Sequence, residues 1–262
     1  MKNIKKAKRV VIKIGTSTLT HRTGNVNIRQ IEHLVKVVSD IRNSGREIIF
    51  VSSGAVAVGM GKLGLMRRPS TISKKQALAA IGQCELMYLY DKLFSEYNHH
   101  VAQVLLTNGD IDSAEAKKNI AETFNSLLKY NVIPVVNEND TVSTEELEFG
   151  DNDTLSATVA AITDADLLIL LTDIDGLYTD NPHENEKAKK IDVVDEITDE
   201  IVNCCKGAVN RMGTGGMVTK LRAGKVAFRN NFDMVIMSSR NPDDLYRLFD
   251  GEQIGTFFRV RK

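Results

Sequence analysis

Cysteine is scarce in this chain. Its 262 residues hold three, Cys84 and the vicinal pair Cys204 and Cys205. An odd number without CxxC spacing excludes a disulfide framework and points to a reduced, intracellular protein that uses cysteine for packing. The five histidines, His21, His33, His99, His100 and His183, lack the HExxH or His-x-His spacing of a transition-metal site, which argues against a zinc enzyme. Charge of either sign is not in excess: 34 basic residues balance 34 acidic ones, so no global field draws in nucleic acid or an anionic membrane. The one local excess, Lys2, Lys5, Lys6, Lys8 and Arg9, precedes an apolar run and reads as a solvated flank. No apolar run is long enough to span a bilayer, and the N-terminus lacks the apolar segment of a signal peptide, so the expected location is the cytoplasm. No linker rich in Pro, Gly or Ser divides the chain and no repeat of fixed period recurs, which predicts one domain over residues 1–262.

Three familiar nucleotide and nucleophile motifs are missing as well. The nearest approach to a Walker A loop, from Gly54 to Gly59, continues Met60-Gly61-Lys62-Leu63 and lacks both the GK spacing and the following hydroxyl residue. No G-x-G-x-x-G opens a helix after the first apolar run, so a hydride carrier does not fit. Ser53 has no G-x-S-x-G elbow and reads as a binding hydroxyl or a helix cap.

What is present is an alternation. Apolar runs rich in β-branched residues recur at 10–14, 47–51, 102–106, 132–136, 167–171 and 234–237, with amphipathic segments between most of them. That pattern predicts an α/β fold, a mostly parallel central sheet sandwiched by helices in three αβα layers. Ile28, Ile31, Leu34, Val35, Val38 and Ile41 fall at helical spacing, with Gly45 as the C-terminal stop. Asp112 and Glu115 suggest a capping box opening a helix towards Tyr130. Asn241-Pro242 suggests a cap and first-turn proline before a helix over 243–249, and Gly255-Thr256-Phe257-Phe258 reads as a closing strand.

Polar clusters sit where the apolar runs end. Gly213-Thr214-Gly215-Gly216-Met217-Val218-Thr219-Lys220 runs glycines and a hydroxyl into a lysine at the start of a helix-like segment. Glycines let backbone N–H groups approach an anion, the helix N-terminus is partially positive and the lysine adds a full charge, so the stretch reads as a phosphate cradle. Lys13 lies late in the first run with Gly15 beyond it, where an ammonium group reaches an anion at the sheet edge. Two lysines and two glycine-rich turns suit phosphoryl transfer, in which a protein mainly positions reactants and offsets charge. Asp140, Asp151 and Asp153 can hold magnesium, hold an ammonium group or fix a lysine, and sequence alone does not divide those roles. Thr172 and Asp173 are placed for the ribose or base of a nucleotide, with a tight turn at Asp175-Gly176.

Taken together, KIGTSTLT from Lys13, VSSGAVAVG from Val51, PVVNENDTV from Pro134, FGDNDTLSA from Phe149, LLTDIDGLYT from Leu170 and GTGGMVTK from Gly213 resemble the amino acid kinase family nearly end to end. NEND followed by FGDND resembles, more specifically, the members that act on L-glutamate. The resemblance implies transfer of the ATP γ-phosphoryl to the glutamate side-chain carboxylate, giving L-glutamyl 5-phosphate in the first step of proline biosynthesis, with Mg²⁺ bridging the phosphates. It implies catalytic roles for Lys13, Asp153 and Lys220. Ser53, Gly54, Ala55, Asp140 and Asn152 would bind the amino acid, and Lys13, Gly15, Thr172, Asp173 and Thr214, Gly215, Gly216, Met217, Val218, Thr219 and Lys220 would bind ATP. It further implies an N-terminal lobe to about residue 165 for the amino acid and a C-terminal lobe from about 166 for ATP. A homo-oligomer, feedback inhibition by L-proline and hand-off to glutamyl phosphate reductase are also expected, without a nucleic-acid or membrane partner. Many members carry a further C-terminal domain of an RNA-binding type, whereas this chain stops at Lys262 after the closing strand and resembles the short form. Rival readings are a kinase of N-acetylglutamate, aspartate, carbamate or UMP, or a catalytically silent sensor. The UMP kinase would want arginines near the acceptor, and the central motifs have none.

Overall fold

The computed structural model describes residues 2–21, 23–143, 152–180, 185, 187–202 and 216–260. In chain order the elements are α1 (Lys2–Lys6), β1 (Arg9–Ile14), α2 (Thr16–Leu19), α3 (Ile28–Asn43), β2 (Glu47–Val51), α4 (Ala55–Lys62), α5 (Ile72–Ser95), β3 (His100–Leu106), α6 (Asn108–Asp112), α7 (Ala114–Lys129) and β4 (Val132–Glu138). There follow α8 (Asn152–Ile162), β5 (Leu167–Thr172), β6 (Leu177–Tyr178), β7 (Lys190–Ile191), β8 (Val193–Val194), α9 (Met217–Arg229), β9 (Asp233–Ser238), α10 (Asp244–Phe249) and β10 (Thr256–Phe258).

Eight strands form one sheet in the order β3-β4-β2-β1-β5-β9-β10-β8. The run from β3 to β9 is parallel, β10 pairs antiparallel with β9, and β8 pairs parallel with β10. A parallel strand covered on both faces reads as an unbroken apolar run, and β5 is buried at every position. Successive strand residues point to opposite faces. Val10, Ile12 and Ile14 of β1 enter a core with residues of α1 to α5 and α10, whereas Val11 enters the second core, with residues of α7, α8 and α9. The expected three-layer αβα architecture is therefore present. The same alternation places Lys13 on the face of α8 and α9.

The order reverses at β1: the chain leaves it for β2 on one side and later returns to β5 on the other. Ligands in open α/β sheets bind in the crevice at such a point, outside the carboxyl ends of the strands. A close helix crossing fixes one wall. A Cβ on Gly82 of α5 would lie 1.7 Å from the Ala55 carbonyl oxygen, and one on Gly59 of α4 would lie 2.0 Å from that of Leu78. Only glycine permits this approach, which seats the start of α4 on α5.

Local boundaries differ from expectation in three places. The cap of α7 is Ser113, whose hydroxyl accepts from Ala116 N, and not Asp112, which ends α6. A genuine capping box lies earlier, between Thr107 and Asp110. The helix expected from 243 starts at Asp244, because Asn241 and Pro242 form a turn through bonds from Asp244 N to Asn241 O and Leu245 N to Pro242 O. Finally, the basic N-terminal flank is helical, and Ile4 and Ala7 bury themselves in the first core. Gly45 follows the C-cap of α3 with φ +98°, as a helix stop should.

Candidate active site

Three charged side chains meet at the switch point. Lys13 Nζ lies 2.7 Å from Asp153 Oδ1, and Lys220 Nζ lies 3.1 Å from Asp153 Oδ2. Lys13 arrives from β1, Asp153 from the first turn of α8 and Lys220 from the first turn of α9. Asp153 is 1% exposed, and burial by itself would raise its pKa. Lys13 and then Lys220 outweigh that effect, with hydrogen bonds from Lys13 and Thr219, and hold the carboxyl at about 2. The Thr219 hydroxyl lies 2.8 Å from Asp153 Oδ2, so this residue of the expected phosphate cradle also orients the carboxylate. The carboxylate is thus ionised throughout the physiological range and fixed between two ammonium groups. These three groups sum to one positive charge in a buried site, an environment that favours a polyanion.

Backbone groups add to that field. The helices that begin after β1, after β2 and at the glycine-rich segment have Gly15, Gly54 and Gly216 as N-caps, none of them with a side-chain hydrogen bond. A helix whose cap has no side chain leaves the N–H groups of its first residues to water or a ligand. Gly54 has φ +90°, so the turn requires glycine, and Thr16 Cγ2 packs closely over it, 3.3 Å from where a Cβ would lie. Met217 is half-buried, Val218 more exposed, and Thr219 buried. Thr172 is buried at the end of β5, its hydroxyl donating to Asp173 Oδ1 at 3.0 Å, while Asp173 itself is exposed. Thr214 and Gly215, together with Asp151, lie outside the described residues.

An amide network forms the other half of the site. Asn152 Nδ2 donates to Ser52 O at 2.7 Å, to Ser53 Oγ at 3.0 Å and to Asn137 Oδ1 at 2.9 Å. Three acceptors around one amide nitrogen turn the Asn152 carbonyl oxygen away, and Asn152 Oδ1 is buried without a hydrogen-bond partner among the described residues. Ser53 and Ala55 are also buried here. Ser52 is held from behind by the Tyr90 hydroxyl at 3.0 Å; burial pushes that phenol up to about 12, so it stays protonated. Tyr90 is itself locked edge-on against Phe50. Asp140, two residues past β4, is 6% exposed. Its Oδ1 likewise has no partner among the described residues. Burial, then the nearby charge of Glu138, push its carboxyl up to about 7, against a smaller opposing pull from Arg68.

The structure therefore brings Lys13, Asp153 and Lys220 into contact and joins Asn152 to Ser53. It adds Asn137, Tyr90 and Gln83, whose Oε1 accepts from Asn137 Nδ2 at 2.9 Å. Gln83 carries no local signal, because its partner is 54 residues away. Among the described residues no group of three or more His, Cys, Asp or Glu side chains is placed to hold a metal ion. No helix there is long and apolar enough to cross a membrane.

A parallel sheet whose carboxyl edge gathers two lysines, a fixed carboxylate and glycine-capped helix N-termini defines a nucleotide-dependent phosphotransferase. Residues 8–238 match the amino acid kinase family, and the chain belongs to that family. It is 51% identical to the glutamate 5-kinase of Clostridium perfringens, covering 100% of this chain and 98% of the relative. The glutamate 5-kinase of Clostridium acetobutylicum is 48% identical, covering 98% and 96%. Among solved structures, carbamate kinase from Giardia lamblia bound to AMP-PNP superposes with a TM-score of 0.66 at 15% identity, covering 98% of this chain and 99% of that one, a likeness of fold.

Proposed function

We propose that this chain transfers the γ-phosphoryl group of ATP to the side-chain carboxylate of L-glutamate, giving L-glutamyl 5-phosphate for proline biosynthesis. The observation that carries the reading of a free amino acid as acceptor is the pair of buried oxygens without a donor among the described residues, Asp140 Oδ1 and Asn152 Oδ1. A buried acceptor left unsatisfied is costly, and both oxygens suit a cationic donor such as an α-ammonium group. An N-acetylated amino acid offers no such cation.

The acceptor carboxylate has an ordinary pKa of about 4.3 and is already a nucleophile at neutral pH, so no general base is required. The obstacle is repulsion between that carboxylate and the γ-phosphate. Lys13 and Lys220 offset it, Asp153 and Thr219 hold the lysines in register, and the N-termini of α2 and α9 receive phosphate oxygens. Ser53, Gly54, Ala55, Asp140 and Asn152 bind glutamate within an N-terminal lobe to about residue 165. Thr172, Asp173 and the 214–220 segment bind ATP within a C-terminal lobe from about 166. Asp153 is the carboxylate that would help hold a magnesium ion brought by ATP, and the ion would supply charge neutralisation of the polyphosphate. A cytoplasmic location, a homo-oligomer, feedback inhibition by L-proline and delivery of the product to glutamyl phosphate reductase complete the proposal.

An acyl phosphate is trapped by hydroxylamine as a hydroxamate, which tests the reading directly. With purified protein and Mg-ATP, signal is expected with L-glutamate and not with L-aspartate or N-acetyl-L-glutamate. Signal with either of the others alone reassigns the acceptor, and none with any of them favours a silent binding protein.

A further inference from the structure

Gln83 lies on α5, outside every sequence motif, one residue beyond the glycine that meets the Ala55 carbonyl. That backbone contact registers Gln83 against the start of α4, where Ser53 and Gly54 lie. Its Oε1 accepts from Asn137 Nδ2 at 2.9 Å. Asn137 hands the polarity on: its Oδ1 accepts from Glu138 N at 2.9 Å and from Asn152 Nδ2 at 2.9 Å. Reversing the Asn137 amide would set two donors against each other at Asn152 and two acceptors against each other at Gln83. Glu138 N can only donate and Ser52 O can only accept, so these backbone groups fix the direction of the chain at Asn137 and Asn152, and the Gln83 carboxamide continues it with its acceptor end. Its last member is the buried Asn152 oxygen, which has no donor among the described residues.

We infer that Gln83 is a positioning residue for the amino-acid substrate: by accepting from Asn137 it holds the Asn152 carbonyl oxygen towards the substrate's ammonium group. The inference rests on Asn152 binding that group. Gln83 touches no reacting atom and acts through two intervening side chains, so its effect belongs to glutamate binding and not to ATP binding or to the chemical step.

Two variants of nearly equal shape separate polarity from packing. Gln83→Glu keeps an acceptor opposite Asn137 Nδ2, and Gln83→Met removes it while filling the same space. In initial-rate kinetics with both substrates varied, Q83M is expected to raise the KM for glutamate about 5- to 30-fold, the worth of one or two polar contacts. Its KM for ATP should stay within about twofold of wild type, and Q83E should lie closer to wild type than Q83M does. In an Asn152→Ala background the Q83M effect should shrink below about twofold, because coupled residues are not additive. If Asn152→Ala raises the glutamate KM and folded Q83M leaves it unchanged, the role of Gln83 is overturned while the site reading stands. Equal increases in both KM values, or a fall in kcat alone, would also overturn it. An Asn152→Ala variant with a wild-type KM for glutamate removes the site reading itself. Should Q83M fail to fold in thermal melts, Gln83→Leu against Q83E carries the same comparison.

Discussion

Asp140 carries a carboxyl that is 6% exposed, has an oxygen without a donor among the described residues and lies close enough to Glu138 to feel its charge. Burial first, then Glu138, raise its pKa from the ordinary 3.8 to about 7. At about 1.4 kcal/mol per pH unit, keeping this group ionised at pH 8 costs the ligand-free protein on the order of 4 kcal/mol. Asp140→Asn removes the charge but brings N–H donors that need partners of their own. If about half of the cost is recovered, the melting temperature rises by about 4–8 °C, at about 2–4 °C per kcal/mol for a chain of this size. A group whose folded pKa is raised contributes stability that is complete below its unfolded value and lost as pH rises through the folded one. The gap between D140N and wild type should therefore widen from about pH 4 to about pH 7 and stay level above that. Thermal melts of both proteins across that range, without substrates, make the measurement. Wild-type kcat/KM for glutamate should rise with pH towards about 7 as Asp140 ionises, and D140N should lack that limb. A D140N protein that melts at or below wild type at pH 8, or a gap that ignores pH, would refute the reasoning.

Lys220→Ala should lower turnover about 10²–10³-fold in steady-state assays, the usual consequence of removing one electrostatic stabiliser; near wild-type turnover would remove its role. Gly82→Ala places a methyl group 1.7 Å from the Ala55 carbonyl oxygen, and because backbone yields little it should cost at least about 1–3 kcal/mol in urea unfolding. His99 is buried, its Nδ1 2.9 Å from an Arg42 guanidinium nitrogen, which fixes it as acceptor. Burial, then the Arg42 charge, lower its pKa against an opposing bond to the Ser39 carbonyl. The unfolded chain therefore binds a proton before the folded one does, and wild type should lose more stability than His99→Gln as pH falls below about 6.5; parallel loss in the two proteins would contradict this.

Features that depend on one local pattern were legible in the sequence. The run 47–51 is β2 to the residue, and strand alternation alone places Lys13 opposite the Val10, Ile12 and Ile14 core. Features that depend on distant partners were not. Gly82 and Gln83 look like any two residues in a long helix until α4 lies against them, and the amide chain from Gln83 to Asn152 joins three separate elements. Ile4 sits alone among lysines, so no periodicity announces that α1 is anchored. The α7 cap shifted by one residue because Asp112 and Ser113 are both good caps, and only the backbone of Ser113 is extended in the manner a cap requires.

Glutarate has both carboxylates of glutamate and no amino group, which makes it the most direct probe of the central claim that Asp140 and Asn152 hold an ammonium group. Hydroxamate formation from L-glutamate and from glutarate should be compared in wild type and in Asp140→Asn. The expected result is a strong wild-type preference for glutamate that collapses in D140N, through loss of glutamate use with glutarate use little changed. A preference that survives the substitution would contradict the account.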